Sequence, residues 1–195
     1  MEIVNFKQDP LEFLTERELH SVDVLIVDLT CGRAGDRDNL WDLFLQFDRV
    51  LKLNGHLYVF CDDIVSPMLL NWVREAGDEH KFVEAQQLIC LWGAYTTSED
   101  RLYNPSYDCL VFAWRKFRRE GFRHDHLVSD VLHSWGPPDG VRHLVKPLYL
   151  LRTLLEKSVR VGDIVCDPFS SQGLLGKACG GLNVTVLMND VGGKE

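Results

Sequence analysis

Short apolar runs alternate with amphipathic stretches along this chain, and the alternation predicts strands separated by helices. Glu2–Phe6 alternates as a strand does, and Gln8-Asp9-Pro10 ends it. Leu11–Leu19, with Leu11, Phe13 and Leu14 apolar, is predicted as a short helix. Val24–Val27 is continuously apolar, which suits a strand buried on both faces, and Asp28 halts it. Cys31–Asn39 is polar and contains glycine, so a loop is expected there. Leu40, Leu43, Phe44, Phe47, Val50 and Leu51 then keep helical spacing up to a turn signal at Asn54-Gly55.

The same logic predicts a strand at His56–Cys61 and a helix at Pro67–Ala76, with Leu69, Leu70, Trp72 and Val73 inward. Strands follow at Glu84–Trp92 and Asp108–Trp114, joined by the polar stretch Gly93–Tyr107. Phe117–Gly140 carries no clear period and predicts no element. Pro147–Ser158 is amphipathic with Pro147 near its first turn. Ile164–Cys166 reads as a strand, Leu174–Cys179 as a helix and Val184–Met188 as a strand ended by Asn189-Asp190. The expected fold is α/β: a mostly parallel sheet with helices on both faces.

Bulk properties narrow the class. A length of 195 residues with 46% hydrophobic and 26% charged positions suits a single globular domain. The net charge of −8 excludes a surface that is basic throughout, so any nucleic-acid contact must use a local patch. Six scattered cysteines form no CxxC pair, and several sit inside apolar runs, as thiols in a reducing compartment do. His124 and His126 beside Asp125 lack a third ligand, so no metal site is expected. The start MEIVNFKQDP has no signal-peptide architecture, and no apolar run is long enough to span a bilayer. A cytoplasmic location without membrane partners is the expectation.

The chemistry concentrates at Val161–Gly173, VGDIVCDPFSSQG, preceded by HLVKP at His143–Pro147. A strand followed by a small-residue loop and a helix offers backbone N–H groups to a ligand at the carboxyl edge of an open sheet. With their order and spacing, these two motifs resemble the paired cofactor motifs of the S-adenosylmethionine-dependent amino-methyltransferases of DNA, which act on adenine N6 or cytosine N4. FDRVLKLNGHLYVF (Phe47–Phe60) and NPSYDCLVFAWRK (Asn104–Lys116) resemble the helix-turn-strand and the last strand of that family's catalytic half. The likeness is to the circularly permuted class, whose catalytic half precedes the cofactor half. It covers nearly the whole chain.

The resemblance implies a Rossmann-like methyltransferase sheet with one antiparallel strand, and Glu2–Phe6 beside Val184–Met188. It implies one domain: residues 1–116 as catalytic half, 117–142 as a basic loop in place of a target-recognition domain, and 143–195 as cofactor half. S-adenosylmethionine would be held by Asp167, Pro168, Phe169, Ser170, Ser171 and Gly173, with Lys146 and Pro147 beside it. Asp190 would take the ribose hydroxyls, and Asp9 would approach the adenine. Asp28 and Cys31 stand at the catalytic turn.

That turn departs from the family's Asp/Asn/Ser-Pro-Pro-aromatic pattern. Asp28-Leu29-Thr30-Cys31 keeps the acceptor, loses both prolines and puts Cys31 where a stacking ring belongs. Ser171-Gln172-Gly173 stands in place of Gly-Ser-Gly. Trp114–His126 interleaves Arg115, Lys116, Arg118, Arg119 and Arg123 with aromatic residues, a surface suited to phosphates and stacked bases. DNA is the implied substrate, with target reading left to a second copy of the chain or a partner subunit. The departures also leave room for a catalytically inactive methyltransferase-like subunit, or for an RNA or small-molecule substrate.

Overall fold

A computed structural model describes residues 1–30, 39–75, 82–92, 107–115, 131–134, 146–170 and 173–190. The strands are β1 (Glu2–Phe6), β2 (Val22–Asp28), β3 (Leu51–Cys61) and β4 (Phe82–Trp92). β5 (Tyr107–Arg115), β6 (Val131–Ser134), β7 (Ile164–Ser170) and β8 (Thr185–Asp190) follow. The helices are α1 (Pro10–Thr15), α2 (Leu40–Val50), α3 (Val65–Glu75), α4 (Leu148–Ser158) and α5 (Leu174–Ala178).

The strands form one eight-stranded sheet in the order β1-β8-β7-β2-β3-β5-β4-β6. Among the described residues five neighbouring pairs are parallel; β5 alone runs against both of its neighbours, β3 and β4. This is the expected sheet with one antiparallel strand. The first and last strands lie side by side, with Glu2 opposite Thr185 and Phe6 opposite Asn189.

Two apolar layers cover the sheet. Phe13 and Leu14 of α1, Leu43, Phe44 and Phe47 of α2, and Leu69 and Trp72 of α3 pack on one face with Leu25, Val27, Leu57 and Val59. Leu150, Leu151, Leu154 and Leu155 of α4 and Leu175 and Ala178 of α5 pack on the other with Val24, Ile26, Tyr58 and Phe60. The continuous apolar run of β2 is thus explained: its successive side chains enter opposite layers.

Three expectations change. Asn54-Gly55 does not close α2, which stops at Val50 and passes directly into β3. Instead the β2–β3 register jumps from Val22 opposite Leu51 to Val24 opposite His56, so one residue of β2 faces four of β3. Gly55 sits in that irregularity, where a Cβ would lie 2.6 Å from Leu51 Cγ. β6 lies in a stretch that predicts no element and pairs with β4 from Val131–Ile89 to Ser134–Trp92; four residues are too few to show a period. The predicted helix over Leu11–Leu19 ends at Thr15. Residues 93–106, expected to connect β4 and β5, lie outside the described residues.

Candidate active site

The sheet order fixes where a ligand can enter. From β2 the chain moves to β3 on one side, and from β7 it moves to β8 on the other, so the order reverses between β2 and β7. The helices that follow these strands, α2 and α5, lie in opposite layers. In open α/β sheets such a reversal leaves a ligand crevice outside the carboxyl ends of the two strands. β2 ends there in Asp28, and β7 brings Asp167 there.

Asp28 is held by its own turn. Its Oδ1 accepts hydrogen bonds from the Thr30 backbone N–H (3.0 Å) and from the Thr30 hydroxyl (2.6 Å). The N–H of Leu29 donates to the Phe60 carbonyl at 2.8 Å, and the Leu29 side chain is buried. The fixed geometry that prolines would give is supplied here by an N–H and a hydroxyl that proline does not have. Cys31 lies outside the described residues.

Lys146 enters this turn from ahead of α4. Its Nζ donates to Thr30 Oγ1 at 2.6 Å and to Asp108 Oδ2 at 3.0 Å, and stands 3.4 Å from Asp28 Oδ2 and 5.3 Å from the Phe60 ring centroid. The side chains of Lys146 and Asp108 are 5% and 3% exposed, and that of Asp28 is 19% exposed. A buried ammonium needs opposite charge and acceptors, and here two carboxylates and a hydroxyl supply them. Expected beside a cofactor, Lys146 points its ammonium at the Asp28–Thr30 turn. Pro147 caps α4, its carbonyl accepting from the Leu150 and Leu151 N–H groups.

The Asp167 segment forms the other wall. Asp167 Oδ1 accepts from the Phe169 N–H at 2.9 Å. Burial pushes its carboxyl up to about 7, against the pull of that hydrogen bond, and the Asp28 carboxylate across the crevice adds to the rise. Pro168 and Ser170 are buried, and the Phe169 ring packs in the α1–α3 layer as a core residue. Gly173 opens α5 in the left-handed region (φ +62°), with open space where a Cβ would stand. Asp190, half-buried at the end of β8, pairs in register with Ser170. Ser171 lies outside the described residues.

Asn189, fully buried, ties this wall together. Its Oδ1 accepts from the Gln8 N–H, while its Nδ2 donates to the carbonyls of Gln8 and Pro168. One amide thus joins the carboxyl ends of β1, β7 and β8. Asp9, expected near an adenine, is exposed, and its Oδ1 caps α1 by accepting from the Leu11 and Glu12 N–H groups.

Arg115 requires a correction. Predicted as a phosphate contact, it is 2% exposed and lies at the opposite edge of the sheet from the crevice, at the end of the antiparallel strand. Its guanidinium donates to the Leu51 carbonyl at 2.6 Å and pairs with Asp48 at 2.5 Å. A buried, paired guanidinium offers nothing to DNA. Lys116, Arg118, Arg119 and Arg123 lie outside the described residues. Among the described residues no cluster of metal-ligating side chains occurs, and no helix is long and apolar enough to cross a membrane.

Thr30, Asp108 and Asn189 escape sequence reasoning. Thr30 reads as a lost proline, Asp108 as the edge of a strand and Asn189 as a strand stop. The only available signal was their position at strand ends that converge on one sheet edge.

No family model and no curated protein sequence matches the chain. Solved structures do. M1.HpyAVI in complex with SAM matches with a TM-score of 0.72 at 15% identity, covering 98% of this chain and 94% of that one. TTHA0409 of Thermus thermophilus, complexed with S-adenosyl-L-methionine, matches with a TM-score of 0.69 at 15% identity, covering 98% and 88%. PvuII DNA methyltransferase, cytosine-N4-specific, matches with a TM-score of 0.70 at 15% identity, covering 98% and 83%. At such identities the likeness is one of fold, and over nearly its whole length the chain has the Rossmann-like fold of these proteins.

Proposed function

We infer that the chain is an S-adenosylmethionine-dependent methyltransferase acting on the exocyclic amine of a base in DNA, adenine N6 or cytosine N4. The observation that carries this reading is the pair Asp28 and Asp167, brought to the two strands that border the crevice where the strand order reverses. Support comes from the fold shared with a cytosine-N4 DNA methyltransferase and with SAM complexes.

The residues present suit the cofactor. The left-handed backbone and open space at Gly173 allow close approach of a ligand, and the raised carboxyl of Asp167 is a group that a cation would relieve. Asp167, Pro168, Ser170, Ser171 and Gly173 would line the methionine part, and Asp190 would take the ribose hydroxyls. Bound there, the cofactor supplies an electrophilic sulfonium methyl. Asp28 would accept an N–H of the target amine and draw its lone pair out of the ring, ready for in-line attack. Residues 1–116 would then form the catalytic half and 143–195 the cofactor half, in permuted order. Lys116, Arg118, Arg119 and Arg123 of the 117–142 region and its border would meet phosphate, and a second copy or partner would read the target.

Calorimetric titration with S-adenosylmethionine, followed by transfer of labelled methyl to duplex DNA, tests the reading. Saturable binding and transfer are expected, with Asp28→Ala lowering transfer by about 100-fold or more. No saturable binding overturns it, and unchanged transfer in Asp28→Ala removes Asp28 from the reaction. A second reading, an inactive methyltransferase-like subunit that binds nucleic acid or a partner methyltransferase, draws on one observation. Both Asp28 oxygens already face donors, Thr30 on one and Lys146 on the other. Cofactor binding without transfer to any duplex would favour it.

A further inference from the structure

We propose that Asp108, acting through Lys146 and Thr30, is a positioning residue for Asp28. The inference rests on the methyltransferase reading for its kinetic consequence, while its structural consequence stands without it.

The proton directions follow from the donor inventory. An ammonium has no lone pair, so in the 2.6 Å contact between Lys146 Nζ and Thr30 Oγ1 the lysine donates and the hydroxyl accepts. The single hydrogen of that hydroxyl is then directed to its other near partner, Asp28 Oδ1, at 2.6 Å. Together with the Thr30 N–H at 3.0 Å, two donors converge on one carboxylate oxygen and fix the plane of the group. The ammonium that sets this direction is itself set by Asp108 Oδ2 at 3.0 Å. The chain runs from β5 through Lys146 to the end of β2, from one rigid strand to another.

Placement speaks for this role. Asp108 stands at the start of the one antiparallel strand, and for that reason it lies at the carboxyl edge of the parallel ones. A buried ion pair is a costly way to stabilise a core, since apolar residues of similar volume serve as well. A buried pair directly beneath an acceptor carboxylate does what apolar residues do not: it orients a hydroxyl.

The test is a double-mutant cycle on the full chain. Asp108→Asn is expected to lower kcat for methyl transfer to duplex DNA by about 10- to 100-fold. Affinity for S-adenosylhomocysteine should stay within about threefold, because Asp108 acts on the acceptor wall and not the cofactor wall. In a Lys146→Met background, Asp108→Asn should change kcat by less than about twofold, since its route is already cut. Additive losses, or an unchanged kcat in folded Asp108→Asn, overturn the proposal. If Asp108→Asn does not fold, Thr30→Val tests the next link with the same readouts, and an unchanged kcat there overturns it.

Amide hydrogen exchange at Thr30 separates this proposal from the methyltransferase reading. Should the wild-type chain transfer no methyl group, exchange at Thr30 is still expected to quicken about tenfold in Asp108→Asn while β7 and β8 amides keep their rates. Unchanged exchange at Thr30 overturns the proposal whatever the activity.

Discussion

At the scale of single residues, Asp167 carries the sharpest expectation. Its folded-state carboxyl titrates near 7, raised from 3.8 by burial and by the neighbouring Asp28. The sign follows from linkage: the folded chain binds the proton more tightly, so this contribution to stability is full below about pH 4 and is lost as pH rises to about 7. Asp167→Asn should flatten that slope and stabilise the ligand-free chain at pH 8 by on the order of 1–3 kcal/mol. Urea unfolding at pH 5 and pH 8 checks it, and equal slopes for the two proteins would show that folding does not raise the Asp167 carboxyl. The same sign governs a cationic ligand, which favours the ionised carboxylate. Affinity for S-adenosylmethionine should therefore climb with pH up to about 7, by at most tenfold per unit, and lose that dependence in Asp167→Asn.

At the scale of elements, the wall around β7 depends on one amide. Replacing Asn189 by Leu leaves the Gln8 N–H and the Gln8 and Pro168 carbonyls without their buried partner, and should cost about 3 kcal/mol. Because Pro168 adjoins Asp167, cofactor affinity should fall more than stability alone explains, which titration of the folded variant measures. Gly55→Val is expected to destabilise through a different route, by about 2 kcal/mol, since its Cβ would stand 2.6 Å from Leu51 Cγ in the β2–β3 irregularity. These two residues also mark how far the sequence was legible. Continuous apolar runs such as Val24–Val27 and helical spacing such as Leu40–Val50 announce their elements, because burial imposes a period on many positions at once. Asn54-Gly55 announced a turn that the register jump absorbed, since local turn chemistry is shared by turns and bulges. Asp28 and Asp167 were legible as strand-terminal acids in recognisable motifs. Asp108 and Asn189 were not, because Asp108 meets Lys146 38 residues away, Asn189 meets Pro168 and Gln8 21 and 181 residues away, and only the strand order brings them together.

At the scale of the whole molecule, charge decides how DNA could be met. A chain of net charge −8 repels a polyanion except where basic residues gather, and the gathering between Arg115 and Arg123 is the one the sequence singles out. The structure removes Arg115 from it. Arg115 faces inward to Asp48 and Leu51, so Arg115→Met should unfold the chain more easily, by about 3–5 kcal/mol for a broken buried pair, yet leave the salt dependence of DNA binding alone. Arg118→Gln with Arg119→Gln should do the reverse. Stability should hold, while the slope of log affinity against log salt falls by about 1.8 if both side chains neutralise phosphates. Fluorescence anisotropy with a labelled duplex across a salt series, run beside urea unfolding, reads both quantities on both variants. A changed slope in Arg115→Met would return Arg115 to the DNA surface. An unchanged slope in the double variant would move the phosphate contacts elsewhere on an acidic molecule, where a partner subunit becomes the source of positive charge.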